Sequence, residues 1–113
     1  MKNFNESSFF YNEVINLIDL EDYKCAIKYI KKNIDSIKSA DDIALAYLNC
    51  GFLNDKVGDN ISAINDFSKS ISFEAELRIL NQRSRDISLN ARSSSRYKNE
   101  DYHGAIEDKR EAK

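Results

Sequence analysis

The sequence predicts an all-α fold, an α-solenoid of three antiparallel helical hairpins. Three observations predict it. Apolar residues recur at spacings of three and four, which puts one face of each helix against a core. The 113 residues contain no proline and only three glycines, too few turn formers for a two-sheet β fold. An Ala-centred segment occurs three times, at a spacing that suits two helices per unit.

Phe10, Val14, Leu17 and Ile18 mark the apolar stripe of a first helix, at about 6–19. Ala26, Ile27, Ile30 and Ile34 mark a second at about 22–36. Ile43, Tyr47, Cys50 and Leu53 define a third at about 41–57, and Ile61, Ile64, Phe67 and Ile71 a fourth at about 60–75. A fifth and a sixth follow at about 79–98 and 101–112. Breaks fall at 20–22, 39–41, 58–60 and 99–101, where Asp, Asn and Ser side chains accept from the free N–H groups of a helix start. From 73 to 86 there is no turn residue, so the sequence leaves open where the fourth helix ends and the fifth begins.

The segment Glu21-Asp22-Tyr23-Lys24-Cys25-Ala26-Ile27 matches Glu100-Asp101-Tyr102-His103-Gly104-Ala105-Ile106. Gly58-Asp59-Asn60-Ile61-Ser62-Ala63-Ile64 lies between them. The aligned alanines Ala26, Ala63 and Ala105 are 37 and 42 residues apart. Each is expected where the two helices of a hairpin approach closely, because a larger side chain would force them apart.

These residues resemble the tetratricopeptide repeat family. In the middle unit Tyr47, Gly51, Ala63 and Phe67 stand at the family's offsets, with Gly58-Asp59 as the tight turn. The last unit resembles a bacterial subclass reading Arg-Gly…Lys…Gly-Asp-Tyr-x-Gly-Ala-Ile-x-Asp. Here it runs Arg92-Ser93…Arg96…Glu100-Asp101-Tyr102-His103-Gly104-Ala105-Ile106-Glu107-Asp108. The resemblance covers nearly the whole chain as one domain, 1–113, with units at about 7–40, 41–76 and 79–113. No proline ends a unit, and Ser93 and Val14 stand where the family has its small glycine. Both repeat spacings exceed the family's usual length of about 34.

The resemblance implies a right-handed superhelix of a bacterial-type three-repeat protein, whose concave surface is lined by the first helix of each hairpin. The family's groove offsets fall on Tyr11, Ile15 and Ile18 in the first unit. They fall on Leu45, Leu48, Asn49, Phe52 and Lys56 in the second, and on Asn90, Ser94, Tyr97 and Lys98 in the third. Such a groove accepts an amphipathic helix or an extended peptide from a protein partner. The competing expectation is that these side chains pack between repeats or lie under the N-terminal segment. Family members that clamp the acidic C-termini of chaperones use Lys, Asn, Asn, Lys and Arg. The matching places hold Tyr11, Ile15, Asn49, Ile87 and Ala91, so that role is rejected. The resemblance also implies that Arg92 or Arg96 pairs with Asp108 of its own unit, a contact suited to the guanidinium fork.

Seventeen basic and nineteen acidic side chains leave a net charge of -2, which argues against a whole-protein sink for nucleic acid or anionic lipid. The charge is uneven. Residues 78–98 carry six basic groups against Asp86 alone, and all arginines but Arg110 lie there. On a continuous helix Arg78, Arg85, Arg92 and Arg96 share a face. One reading is a basic strip for an acidic partner or RNA, working through Arg78, Arg83 and Arg85. The other is internal pairing or simple solvation. Tyr97 is the one aromatic residue in that window, which weakens the case for single-stranded nucleic acid.

One His and two Cys cannot supply a zinc site, and no cofactor or metal is expected. Cys25 and Cys50 both fall on apolar stripes and are expected to be buried, reduced thiols. They therefore do not offer His103, expected at the surface, a nucleophile to activate. Asp41-Asp42 and Asp59/Asp66 are expected as helix starts and solvated faces. The reading is a non-enzyme. No stretch is apolar enough to span a bilayer, and MKNFNESSFF lacks a signal-peptide core, so a cytoplasmic location is expected. The last helix is expected to expose only Ala105, Ile106 and Ala112, and it ends in the helix-like EDKREAK. That ending leads to the further expectation of a weak homo-oligomer, with a self-assembling structural subunit as an alternative function.

Overall fold

Polar caps and apolar stripes become six α-helices in a computed structural model, which describes residues 4–77 and 82–112, excepting the side chains at 4–11, 40–41, 74–77 and 82–85. The helices are α1 (Phe4–Asp19), α2 (Tyr23–Asn33), α3 (Ala40–Lys56), α4 (Asn60–Leu77), α5 (Gln82–Lys98) and α6 (Tyr102–Glu111). A single 3-10 turn, Ile34–Ser36, extends α2. No strand occurs among the described residues, as the all-α expectation requires. The junction between α4 and α5, where the sequence left the boundary open, lies at 78–81, outside the described residues.

Four helix starts have the caps the sequence offers. Asp22, Ser39, Asp59 and Asp101 accept from the backbone N–H groups of Cys25, Asp42, Ser62 and Gly104, at 3.3, 3.4, 3.1 and 3.0 Å. Each satisfies a donor that the helix itself leaves unpaired.

The turns α1–α2, α3–α4 and α5–α6 share one backbone. Glu21, Gly58 and Glu100 have φ values of 59°, 85° and 63°, in the left-handed region. Each lies five residues before Ala26, Ala63 or Ala105. The next N–H, of Asp22, Asp59 or Asp101, donates back to the carbonyl of Leu17, Asn54 or Arg96 at 2.9, 2.9 and 2.8 Å. This left-handed ending satisfies carbonyls at the helix C-terminus. The three alanines are buried alike, at 0, 0 and 5 % exposure.

Each helix packs on its neighbours in chain order, and α3 also touches α5. Val14, Ala26, Ile30, Ile34, Ala46, Cys50 and Leu53 form a core that joins α1, α2 and α3. Leu48, Ala63 and Phe67 form a second between α3 and α4. Gly51 lies against the Phe67 ring, where a Cβ would collide with it. Cys25 and Ala105 depart from the burial expected of them. Cys25 is exposed, because it sits about 100° around the helix from Ala26 at the start of α2. Ala105 is buried rather than exposed, because it faces α5.

Candidate functional site

One candidate face lies on α3. Leu45, Asn49, Phe52 and Lys56 follow one another at steps of four, three and four, and so share one side of the helix. Leu45 and Phe52 are 43 and 42 % exposed, Asn49 is half-buried and Lys56 is exposed. The Phe52 ring meets Phe67 edge-on at 5.2 Å between centroids, which holds it in place while leaving part of it in solvent. Lys56 Nζ stands 5.6 Å from the Tyr23 ring centroid, so it reaches across to α2. Leu48 does not belong to this face. It is 8 % exposed and packs with Ala63 and Phe67, because its position is rotated about 60° toward α4.

On α1, Ile15 is half exposed, and Ile18 is half-buried against the first core. Tyr11 lies outside the residues whose side chains are described. On α5, Asn90, Ser94, Tyr97 and Lys98 are all exposed. Lys98 Nζ lies 3.0 Å from Asp55 Oδ2 and ties α5 to the end of α3. Asn90, Ser94 and Tyr97 line a cavity of about 540 Å³ between α5 and α6. Of the set read from the sequence, Leu45, Asn49, Phe52 and Lys56 share the α3 face and Asn90, Ser94 and Tyr97 line this cavity, whereas Ile15, Ile18, Leu48 and Lys98 belong to neither.

The other cavity walls come from Ser93, Tyr102, Ala105, Ile106, Lys109 and Arg110. Sequence reading did not assign Tyr102, Lys109 or Arg110 to any surface. The available signal was the i, i+3, i+4, i+7, i+8 spacing of Tyr102, Ala105, Ile106, Lys109 and Arg110 along α6.

The basic window is partly turned inward. Arg92 Nε and Nη2 donate to Asp108 Oδ2 and Oδ1 at 2.9 and 2.7 Å, and Nη1 donates to Ser68 Oγ at 3.0 Å. Arg96 Nη1 adds contacts of 3.1 Å to both Asp108 oxygens. Internal pairing thus holds for Arg92 and Arg96. The side chains of Arg78, Arg83 and Arg85 lie outside the described residues.

Asp66 stands three residues after Ala63, as Asp108 stands after Ala105. It accepts from Lys31 Nζ at 2.8 Å and from Asn54 Nδ2 at 2.7 Å. The expectation of a solvated Asp66 is therefore wrong. It is 2 % exposed, buried by α3 and compensated by donors from α2 and α3. Burial pulls the Lys31 ammonium down, but the Asp66 hydrogen bond and charge outweigh it and raise the group above its ordinary value.

Burial, reinforced by the Asp66 charge, pushes the Cys50 thiol up to about 12. The hydrogen bond and charge of Asp22 raise Cys25 as well. His103 is exposed. Among the described residues no group of three His, Cys, Asp or Glu could hold a metal ion, and no helix is long and apolar enough to cross a membrane. No protein-family model matches the chain, and no curated protein matches it.

Proposed function

We propose that the chain is a non-catalytic protein-interaction module that binds a peptide or helix of a protein partner on the exposed face of α3. In this reading it is a tetratricopeptide-like array of three hairpins, units at about 7–40, 41–76 and 79–113. The three turns of one backbone and the three buried alanines support the array.

The observation that carries the binding reading is the pairing of Leu45 and Phe52, each more than two-fifths exposed, with Asn49 between them on one helix face. Fully burying one such side chain is worth about 1.5–3 kcal/mol, and these two have roughly half of that left to give. Asn49 can both donate to and accept from a peptide backbone, and Lys56 can meet an acidic group. A face held by packing beneath it needs little ordering on binding.

The test is selection of a displayed peptide library against the full chain, followed by titration of the selected peptides. Leu45→Asp/Phe52→Asp should weaken binding by at least about tenfold while the circular dichroism spectrum stays helical, the lost Phe52–Phe67 contact lowering the urea midpoint without unfolding the chain. Unchanged binding to the double variant overturns the assignment.

A further inference from the structure

We infer that α5 and α6 form a self-docking face, on which two copies of the chain pair about a two-fold axis passing near Ile106. This face is separate from α3, and its test can fail without touching the peptide-binding reading.

The cavity between α5 and α6 is walled by two helix stripes, Asn90 to Tyr97 and Tyr102 to Arg110. Its aromatic rings and Ile106 are exposed. Tyr97, Tyr102 and Ile106 are 64, 50 and 53 % exposed, and the two tyrosine rings meet edge-on at 5.1 Å. A joined aromatic and aliphatic patch beside a concavity marks an interaction surface, whereas one isolated exposed apolar residue would not.

The order of chemistry along the groove selects the occupant. Aromatic rings stand at the turn end, Ile106 in the middle, and Lys109 with Arg110 at the far end, with no acidic residue in the lining. No ion pair of Lys109 or Arg110 occurs among the described residues. Tyr102 and Arg110 lie four residues to either side of Ile106, about 6 Å each way along the helix. A two-fold rotation about Ile106 reverses that order. It brings Arg110 of the partner subunit over Tyr102 and Tyr97, and Ile106 against its own copy. Cations over aromatic faces are attracted, more strongly when desolvated. The two Arg110 groups then stand about 12 Å apart along the helix axes, so each faces the rings of the other copy rather than the other cation. The surface is thus complementary to itself, as a two-fold interface requires.

Sedimentation velocity from about 5 to 500 μM tests this, because mass action makes dimerisation depend on concentration. The expected result is a reversible monomer–dimer equilibrium that stops at two. Ile106→Asp and, separately, Lys109→Glu/Arg110→Glu should each weaken it by at least about tenfold, while Leu45→Asp/Phe52→Asp leaves it unchanged. Ile106 and both cations are exposed, so the variants should fold. As a second readout, Ile106→Cys in a Cys25→Ser background should form a disulfide-linked dimer under oxidised glutathione, and Glu107→Cys should not. A monomer at every concentration overturns the inference, as does growth beyond a dimer, a dimer indifferent to Ile106→Asp, or cross-linking at 107 instead of 106. Capture of an acidic helical peptide by a strictly monomeric chain would give the groove to a different occupant and also overturn it.

Discussion

Arg92 grips Asp108 with two donors, Nε at 2.9 Å and Nη2 at 2.7 Å, and so closes α5 onto α6. The carboxylate is 2 % exposed and the guanidinium 14 %. The third arm of Arg92 reaches Ser68 of α4, so one side chain ties three helices together. A buried pair of this kind is costly to break from one side, because the remaining charge loses its compensation.

Asp108→Ala should therefore cost about 3–5 kcal/mol in urea unfolding, since it strands Arg92 and part of Arg96. Arg92→Lys should cost less but remain destabilising, because an ammonium cannot present the parallel fork. A loss below about 1 kcal/mol for Asp108→Ala would show that water replaces the pair without strain.

The three equivalent turns make a prediction of opposite signs. Gly58 takes its left-handed φ freely, whereas Glu21 and Glu100 take theirs against a Cβ clash. Glu100→Gly should stabilise the chain by about 0.5–1 kcal/mol, and Gly58→Ala should destabilise it by about 1 kcal/mol or more. Thermal midpoints moving in the same direction for both variants would contradict the shared geometry.

Gly51→Ala sets helix propensity against packing. Propensity alone favours alanine by about 1 kcal/mol. The Phe67 ring, 1 % exposed, occupies the space that the added methyl needs, and overpacking costs about 1–3 kcal/mol. The expected net effect is destabilising, and Phe67→Leu added to Gly51→Ala should recover part of it. A stabilised single variant would mean that the ring shifts aside freely.

The two thiols should separate cleanly. At neutral pH one thiol per chain, the exposed Cys25, should react with a thiol reagent, and Cys50 only after unfolding. Stability should also fall on the alkaline side. The Cys50 thiol moves from an ordinary 9.0 to about 12 in the fold, chiefly through burial. Between those values the unfolded chain gives up a proton that the folded chain retains. Stability therefore drops as pH rises, by about 1.4 kcal/mol per unit at most. The raised Lys31 acts in the same direction, its contribution being full below about 10.4 and lost as pH rises through the folded value. Cys50→Ala should flatten the limb that begins near 9. An unchanged limb would show that another group sets it.

The sequence by itself indicated six helices, with the boundary between the fourth and the fifth left open, helix starts at breaks rich in Asp, Asn and Ser, and the recurrence of Ala26, Ala63 and Ala105. These are local or periodic properties, fixed by which side chains can cap an N–H and which recur at helical spacing. The pairing of Arg92 and Arg96 with Asp108 was also legible, through the resemblance of the last unit. The tertiary structure decided what depends on the rotation of one helix against another. It turned Leu48 into the core and left Phe52 outside, although both lie on apolar positions of α3. It buried Asp66 with donors from two other helices, and it opened a cavity between α5 and α6 lined by Asn90, Ser94 and Tyr97. Spacing along a chain specifies the face of a helix, but only packing decides whether that face meets protein or water.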